Sequence, residues 1–428
     1  MTLSRSWFRQ ALMMAALVPT LSAHAGYFKW ETVELPASSG ASCGNGTPYR
    51  FFVNRTFLTS KTVVMYEGGG ACWTQGACKG ESGMLGASNP NGVPSNYMTS
   101  TSGMAALGLI TPFTARIHPL TSVQTQGWNI VYVPYCTGDV HTGNKVNVYD
   151  DAQPDAPTTY YHRGIVNGNA LANWLAANLS RPSKLLVTGF SAGGAGATAN
   201  YDVLRRALRP TKSSLLADSG PLFQAPAGGD VNQYPSIPLH TTVRTAWGWN
   251  QPGGAVARLS ASLPAGSFDV NNVGTLPQAL ATAYPNDRMG YALFKQDLIY
   301  SAFSYQAFNP QIANAPTQAE REAGLLALWN KDIGPWMAAM NTKPNIGYYV
   351  PYGRDFLSSH CLTTLTFDAT AIGNSGQKNI GAFVDNLIDG SGTPTRAVDT
   401  STKMQSSLTL SVINWVLDNV APLLGIKV

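Results

Sequence analysis

The chain has 428 residues, with 28 basic and 23 acidic side chains, a formal charge of +5, and only 12% charged residues in all. No Lys/Arg cluster forms a stripe, which argues against a nucleic-acid partner. Abundant Gly, Ser, Thr, Asn and Tyr instead describe a neutral, hydrogen-bonding surface suited to an extracellular polymer or an uncharged ester.

At the N-terminus, Arg5 and Arg9 precede an apolar stretch from Ala11 to Leu21, and Ala23-His24-Ala25 stands before Gly26. This pattern predicts a secretory signal peptide over 1–25, cleaved after Ala25. The apolar stretch is shorter than the roughly 20 residues that span a bilayer, so no stable membrane anchor is expected. Neither a repeat nor a linker divides the rest, and 26–428 reads as a single domain, secreted or periplasmic and monomeric. Its five cysteines lack the tight Cys/His spacing of a metal site and read as disulfides of an exported protein. Cys72 and Cys78 enclose the short loop "CWTQGAC" and are the first expected pair, Cys43 and Cys136 the second. Cys361 is left over as a buried filler beside His360.

In chain order, "TVVMY" (62–66), "NIVYVPY" (129–135), "KLLVTGF" (184–190), "SSLLADS" (213–219), "YALFKQDLIY" (291–300) and "IGYYVPY" (346–352) read as strands. Leu171, Trp174, Leu175 and Leu179 share one helical face before the third strand, and "AGGAGATANYDVLRRAL" follows it as a second helix. Thr317 and Glu320 form a capping-box pattern ahead of Leu325, Leu328 and Trp329, and Leu408, Val412, Trp415 and Val416 suggest a final packed helix. Strand and helix alternating in one direction imply a parallel sheet covered on both faces. Two stretches rich in Gly and Pro, 79–127 and 220–285, read as long irregular lids or substrate loops.

"GFSAGG" places Ser191 where a strand gives way to a helix, the context in which a Gly-x-Ser-x-Gly turn presents a nucleophile. Acyl transfer also needs an oxyanion site. "YEGGGACW" offers the amides of Gly69 and Gly70, to be joined by that of Ala192. Hydrolases of this kind order their residues Ser, Asp/Glu, His, which sets aside His118, His141 and His162. His240 falls within the irregular stretch, whereas His360 follows the last of the strands and reads as the base. For the acid, Asp297 is favoured and Asp218 held in reserve, with Asp287, Asp332 and Asp355 also lying between Ser191 and His360.

Taken together, "VVMYEGGGACW", "NIVYVPYCTGDVHTG", "YHRGIVNGNALANWL", "LLVTGFSAGGAGA", "LLADSGPLF" and "SHC" resemble, in order, the blocks of pectin acetylesterases and the related Notum-like carboxylesterases. The resemblance implies an α/β-hydrolase fold, no metal or organic cofactor, and ester hydrolysis by Ser191, Asp297 and His360, with Gly69, Gly70 and Ala192 around the oxyanion. It also supports the Cys72–Cys78 pair, and Asp139 in "PYCTGDVHTG" reads as structural. His141 departs from the pattern, standing where Notum has an aromatic residue, and 220–285 matches neither relative.

The expected activity is removal of short acyl groups, acetyl above all, from a polysaccharide such as pectin. Arg163, Arg354 or Lys295 are candidates to meet pectin's acid groups. The alternatives are a depolymerase of an extracellular polyester, or a lipid-ester hydrolase, on the same machinery. A silent carbohydrate-binding scaffold is disfavoured by the presence of a nucleophile, an acid and a base.

Overall fold

A computed structural model describes residues 27–99, 111–118 and 120–419; the expected leader, 1–25, and part of the 79–127 stretch lie outside them. Its centre is a nine-stranded sheet in the order β1-β2-β4-β3-β7-β8-β9-β10-β11. The strands are β1 (Trp30–Glu34), β2 (Arg50–Asn54), β3 (Thr62–Tyr66), β4 (Asn129–Val133), β7 (Lys184–Phe190), β8 (Lys212–Asp218), β9 (Arg288–Ala292), β10 (Ile346–Val350) and β11 (Arg396–Val398). A separate antiparallel hairpin pairs β5 (Lys145–Tyr149) with β6 (Thr158–His162). From β4 through β11 all neighbours run parallel, and only β1 and β2 join antiparallel. β3, β4 and β10 are buried along their whole length, as parallel strands covered on both faces must be.

The crossover helices follow the apolar patterns in the sequence. The helix Gly164–Asn178 buries Leu171 and Leu175, with Trp174 and Leu179 packed beside the core. The helix Ala192–Leu208 begins at the residue after Ser191, and Gln318–Met340 starts at the capping box, both halves of which form between Thr317 and Glu320.

Three expectations change. The run 291–300 is a strand only to Ala292; residues 293–296 stay beside β10, with Leu293, Lys295 and Gln296 donating to the carbonyls of Tyr349, Pro351 and Tyr352, and a helix then begins at Leu298. Asp297 is its N-cap, accepting from the Tyr300 amide at 2.8 Å, which is why the apolar run turns into a helix there. The stretch 220–285 is not irregular: it holds helices at Ile237–Ala246, Ala255–Ser262 and Leu276–Ala283, two of them with proline in the first turn, where it costs no hydrogen bond. The last helix, Leu408–Asn419, packs through Leu410 and Ile413 onto Phe356 and Leu365, while Leu408, Val412 and Trp415 are exposed.

Both expected disulfides are present, Cys43–Cys136 and Cys72–Cys78, and Cys361 is a buried free thiol. No helix among the described residues is long and apolar enough to cross a membrane.

Candidate active site

The register aligns Tyr66 with Gly189, Phe190 with Asp218, and Asp218 with Ala292, so the carboxyl ends of β3, β7, β8 and β9 stand in one row. In open α/β sheets this edge is where ligands bind. The segments carrying Glu67, Ser191, Asp297 and His360 all leave the sheet there.

Ser191 sits at φ 55° and ψ −126°, a conformation that costs a residue with a Cβ on the order of 1–3 kcal/mol. Its amide is tied to the Asp218 carbonyl at 2.8 Å. The turn closes tightly because Gly193 lies against β3: a Cβ there would stand 2.1 Å from the Tyr66 carbonyl oxygen. Ala192 opens the helix, so its amide is one of the free donors of a helix N-terminus, beside the serine.

The glycine loop adds further donors. Glu67 and Cys72, at its ends, donate to the carbonyls of Val133 and Gly138 at 2.9 and 2.8 Å, whereas the amides of Gly68, Gly69 and Gly70 have no acceptor among the described residues. Gly70, Ser191 and Ala192 share the lining of a narrow pocket with Leu85, Val140, Ile299, Tyr300 and Phe303. The pocket is narrow: the centre of a water-sized sphere can range over only about 20 Å³ of it.

His360 and Asp297 meet at 2.8 Å through Nδ1 and Oδ2, both buried, and His360 Nε2 has no hydrogen-bond partner. Burial works to lower the histidine's pKa, but the facing Asp297 and the neighbouring Cys361 outweigh it and hold it well above the ordinary value. Burial also raises Asp297, so the pair as a unit retains a proton. Tyr300 links this pair to the serine: it lines the Ser191 pocket, and its ring centre lies 6.4 Å from that of His360.

The other acids are otherwise engaged. Asp218 accepts from the amides of Leu362 and Thr363 at 2.9 and 2.8 Å, from Thr363 Oγ1 at 2.7 Å and from Ser219 Oγ at 2.9 Å. It therefore fastens the loop carrying His360 without touching the imidazole. Asp287 pairs with Arg205 at 2.7 Å beside β9's opposite end, and Asp332 accepts from Ser236 and Tyr305.

The histidine loop is unusual in its backbone. Leu357, Ser358, Ser359 and Cys361 all have φ between 44° and 63°, a region costing side-chain-bearing residues on the order of 1–2 kcal/mol each. Fully buried Arg354 fills the loop from inside, donating to the carbonyls of Cys361, Thr364 at 3.5 Å, Thr366 at 3.1 Å and Asp368 at 3.3 Å. Burial lowers its pKa to about 10, which leaves it charged at neutral pH. Arg354 is thus withdrawn from any substrate. Lys295 donates to the Asp399 carbonyl and Arg163 to Asn144, and neither lines the pocket.

Of the two expected lids, 79–127 reaches the pocket through Leu85, whereas no residue of 220–285 lines it. Trp247 and Trp249 instead pack beneath, donating to the Cys72 carbonyl and to Thr142 Oγ1 at 2.8 and 2.7 Å. His141 replaces an aromatic ring by acting as one. It is buried between Tyr66 and Tyr135, with Nε2 against the Glu67 carbonyl at 2.9 Å, and burial keeps it neutral by lowering its pKa to about 4. Asp139 is buried, holding the amides of Gly143 and Gly164 and the Thr137 hydroxyl. Cys72, Cys78 and His162 cluster closely enough to suggest a metal, but the sulfurs are bonded to each other and the His162 nitrogens engage Thr137 and Tyr149.

A strained serine at a strand-to-helix turn, unpaired amides beside it and a buried His–Asp pair at the same sheet edge belong to a carboxylic ester hydrolase of the α/β-hydrolase class. A family model described as pectinacetylesterase matches residues 21–237, half of the chain, and the protein belongs to that family. It is 23% identical over 212 residues to palmitoleoyl-protein carboxylesterase notum2 of Xenopus laevis, covering 47% of this chain and 39% of the relative. With palmitoleoyl-protein carboxylesterase NOTUM of Drosophila melanogaster it shares 23% over 174 residues, 40% of this chain and 24% of the other. The matched segments thus span less than half of these relatives. The solved structure of the Wnt deacylase Notum from Drosophila superimposes with a TM-score of 0.56 at 15% identity, covering 88% of this chain and 98% of that one, a likeness of fold.

Proposed function

We propose that residues 26–428 form a single exported catalytic domain, a serine esterase that removes acetyl and similarly short acyl groups from a polysaccharide such as pectin. The observation that carries the reading is the His360–Asp297 pair, with Nε2 left unpartnered, at the sheet edge where Ser191 is held in a strained turn.

In this mechanism Ser191 Oγ attacks the acyl carbonyl while His360 Nε2 takes its proton, and Asp297 fixes the imidazole tautomer and stabilises the imidazolium. The Nε2–Oγ hydrogen bond forms in the loaded enzyme, as is common for sites that tighten on substrate. The oxyanion of the tetrahedral intermediate meets the amides of Gly69, Gly70 and Ala192. His360 then gives that proton to the departing sugar oxygen as its bond to the acyl carbon breaks, leaving the acyl group on Ser191. A water deprotonated by the same histidine releases the carboxylic acid and restores the serine.

Acyl length follows from the pocket. Its lining includes Gly70 and Ala192 but not His360, which puts it on the acyl side, away from the leaving alcohol. Its narrow lining of Leu85, Val140, Ile299 and Phe303 favours a short acyl group such as acetyl. Two disulfides support export from the cytoplasm.

The apolar character of that lining favours one second reading, an extracellular polyester as substrate. The deciding experiment assays the mature protein and Ser191→Ala on p-nitrophenyl esters of increasing chain length, acetylated pectin and a polyhydroxyalkanoate film. Acetate release from pectin with a preference for the acetyl ester is expected. Film clearing without acetate release would favour the polyester, and wild-type inactivity on every ester, or full activity of Ser191→Ala, would overturn the mechanism.

A further inference from the structure

The carboxyl of Glu67 has no place in the mechanism above, yet it is fully buried immediately before the glycine loop. Tyr97 Oη donates to Oε1 at 2.6 Å and the Tyr135 amide donates to Oε2 at 2.8 Å. These two donors come from different places, Tyr97 from the 79–99 segment and Tyr135 from the turn after β4. Asn89 ties them together, its Nδ2 reaching both Tyr97 Oη at 3.1 Å and the Tyr135 carbonyl at 2.8 Å.

The same neighbours grip the glycine loop directly. The Ser88 amide donates to the Gly69 carbonyl at 3.0 Å. Gly69 itself has φ 143°, and a Cβ there would stand 2.1 Å from Ser88 Oγ, so the loop and the 79–99 segment fit only in this arrangement. On the other side His141 holds the Glu67 carbonyl. Because a peptide unit is planar, the bond to the Gly69 carbonyl sets the direction of the Gly70 N–H, and the bond to the Glu67 carbonyl that of the Gly68 N–H.

We propose that Glu67 is a positioning residue for the oxyanion site, clamping the glycine loop to Tyr97 and Tyr135 so that its amides, Gly70 above all, stay aimed at the serine. This rests on the esterase reading. A buried carboxylate serving stability alone would need no donor from the segment that also contributes Leu85 to the pocket. The side chains around it are otherwise the phenols of Tyr97, Tyr132 and Tyr49, and burial pushes Glu67 up to about 7 in spite of its donors. It is held by dipoles alone, and the Glu67→Gln amide would keep an acceptor for one of its two donors but turn an N–H toward the other.

The test uses the mature protein, Glu67→Gln and Tyr97→Phe, with p-nitrophenyl acetate and a methyl trifluoromethyl ketone, whose hemiketal with Ser191 places an oxyanion among the amides. In Glu67→Gln, kcat and ketone affinity are expected to fall together by about 10-fold with KM within twofold, the pattern of a misaimed donor. Tyr97→Phe, which removes one donor and keeps the ring, is expected to follow in the same direction by a smaller factor, and it decides the matter if Glu67→Gln does not fold. Wild-type kcat and ketone affinity in both folded variants would overturn the proposal and leave the esterase reading intact. A wild type that neither turns over esters nor binds the ketone would overturn both.

Discussion

The serine turn and the histidine loop both hold a reacting group on backbone with positive φ, but they hold it by different means. At Ser191 one residue is strained, and a glycine two positions on relieves the crowding sterically: Gly193 lets the helix lie against the Tyr66 carbonyl of β3. Around His360 four side-chain-bearing residues are strained, and the restraint is electrostatic and distant. Asp218, 145 residues before Thr363, binds the loop's amides, and Arg354 binds its carbonyls. One buried carboxylate and the two terminal nitrogens of one buried guanidinium are thereby bound by the same loop, which offsets part of the cost of desolvating both charges. The lesson is that the nucleophile turn announces itself through the glycines beside it, whereas the base loop depends on a carboxylate from a distant strand.

Substitutions can break or sharpen that contrast. Ser191→Ala should have the largest effect, a loss of about 10⁵–10⁶ in kcat with an unchanged melting temperature, read on p-nitrophenyl acetate and by thermal unfolding. Asp297→Asn comes next, at about 10⁴ in turnover. It also carries a sign in pH. The base acts only when neutral, and Asp297 holds the His360 pKa up, so wild-type activity should fall on acidification through an elevated pKa. In Asp297→Asn burial acts unopposed by the carboxylate, and the acid limb of the profile should move to lower pH. An unmoved limb would deny Asp297 its role.

Asp218→Asn and Arg354→Met test the histidine loop. Each is expected to cost about 10- to 100-fold in kcat through displacement of the base. Each also strands buried partners, at about 2–3 kcal/mol of stability by urea unfolding. Because both act on one loop, their double variant should deviate from additivity by about 1 kcal/mol or more. Strict additivity would mean that they restrain separate things. The smallest effect is expected of Gly193→Ala, about 1–3 kcal/mol from the contact with Tyr66, with kcat reduced in proportion to the distortion of the turn.

The same contrast explains what the sequence disclosed. Five strand cores and the helices at 164–178, 192–208 and 318–340 were legible because each rests on a short apolar period or a cap. The serine, the glycine loop, Asp297 and His360 were legible from motif and chain order. The functions of Asp218, Arg354 and Glu67 were not: Asp218 and Glu67 depend on partners far away in the chain, Arg354 on backbone carbonyls that only the folded loop turns inward, and a lone acidic or basic residue carries no sign of either. Arg354 illustrates the cost: as a charged residue near the histidine it suggested substrate contact, and the fold buries it completely. The stretch 220–285 misled by composition, since glycines and prolines that punctuate three short helices look like those of a loop. Asp297 lay inside a run that reads as a strand, and only its capping bond to Tyr300 marks where the strand pattern fails.

The distance between Asp218 and the loop it fastens also has a temporal meaning. The base reaches the sheet edge only after β8, the helix that Asp297 caps, β10 and the segment beyond it are all in place, because its restraints come from each of them. A chain in which the segment after β10 is not yet in place has no histidine to deprotonate Ser191. Ester hydrolysis would therefore be the last property to appear during refolding, and its recovery would time the completion of the fold.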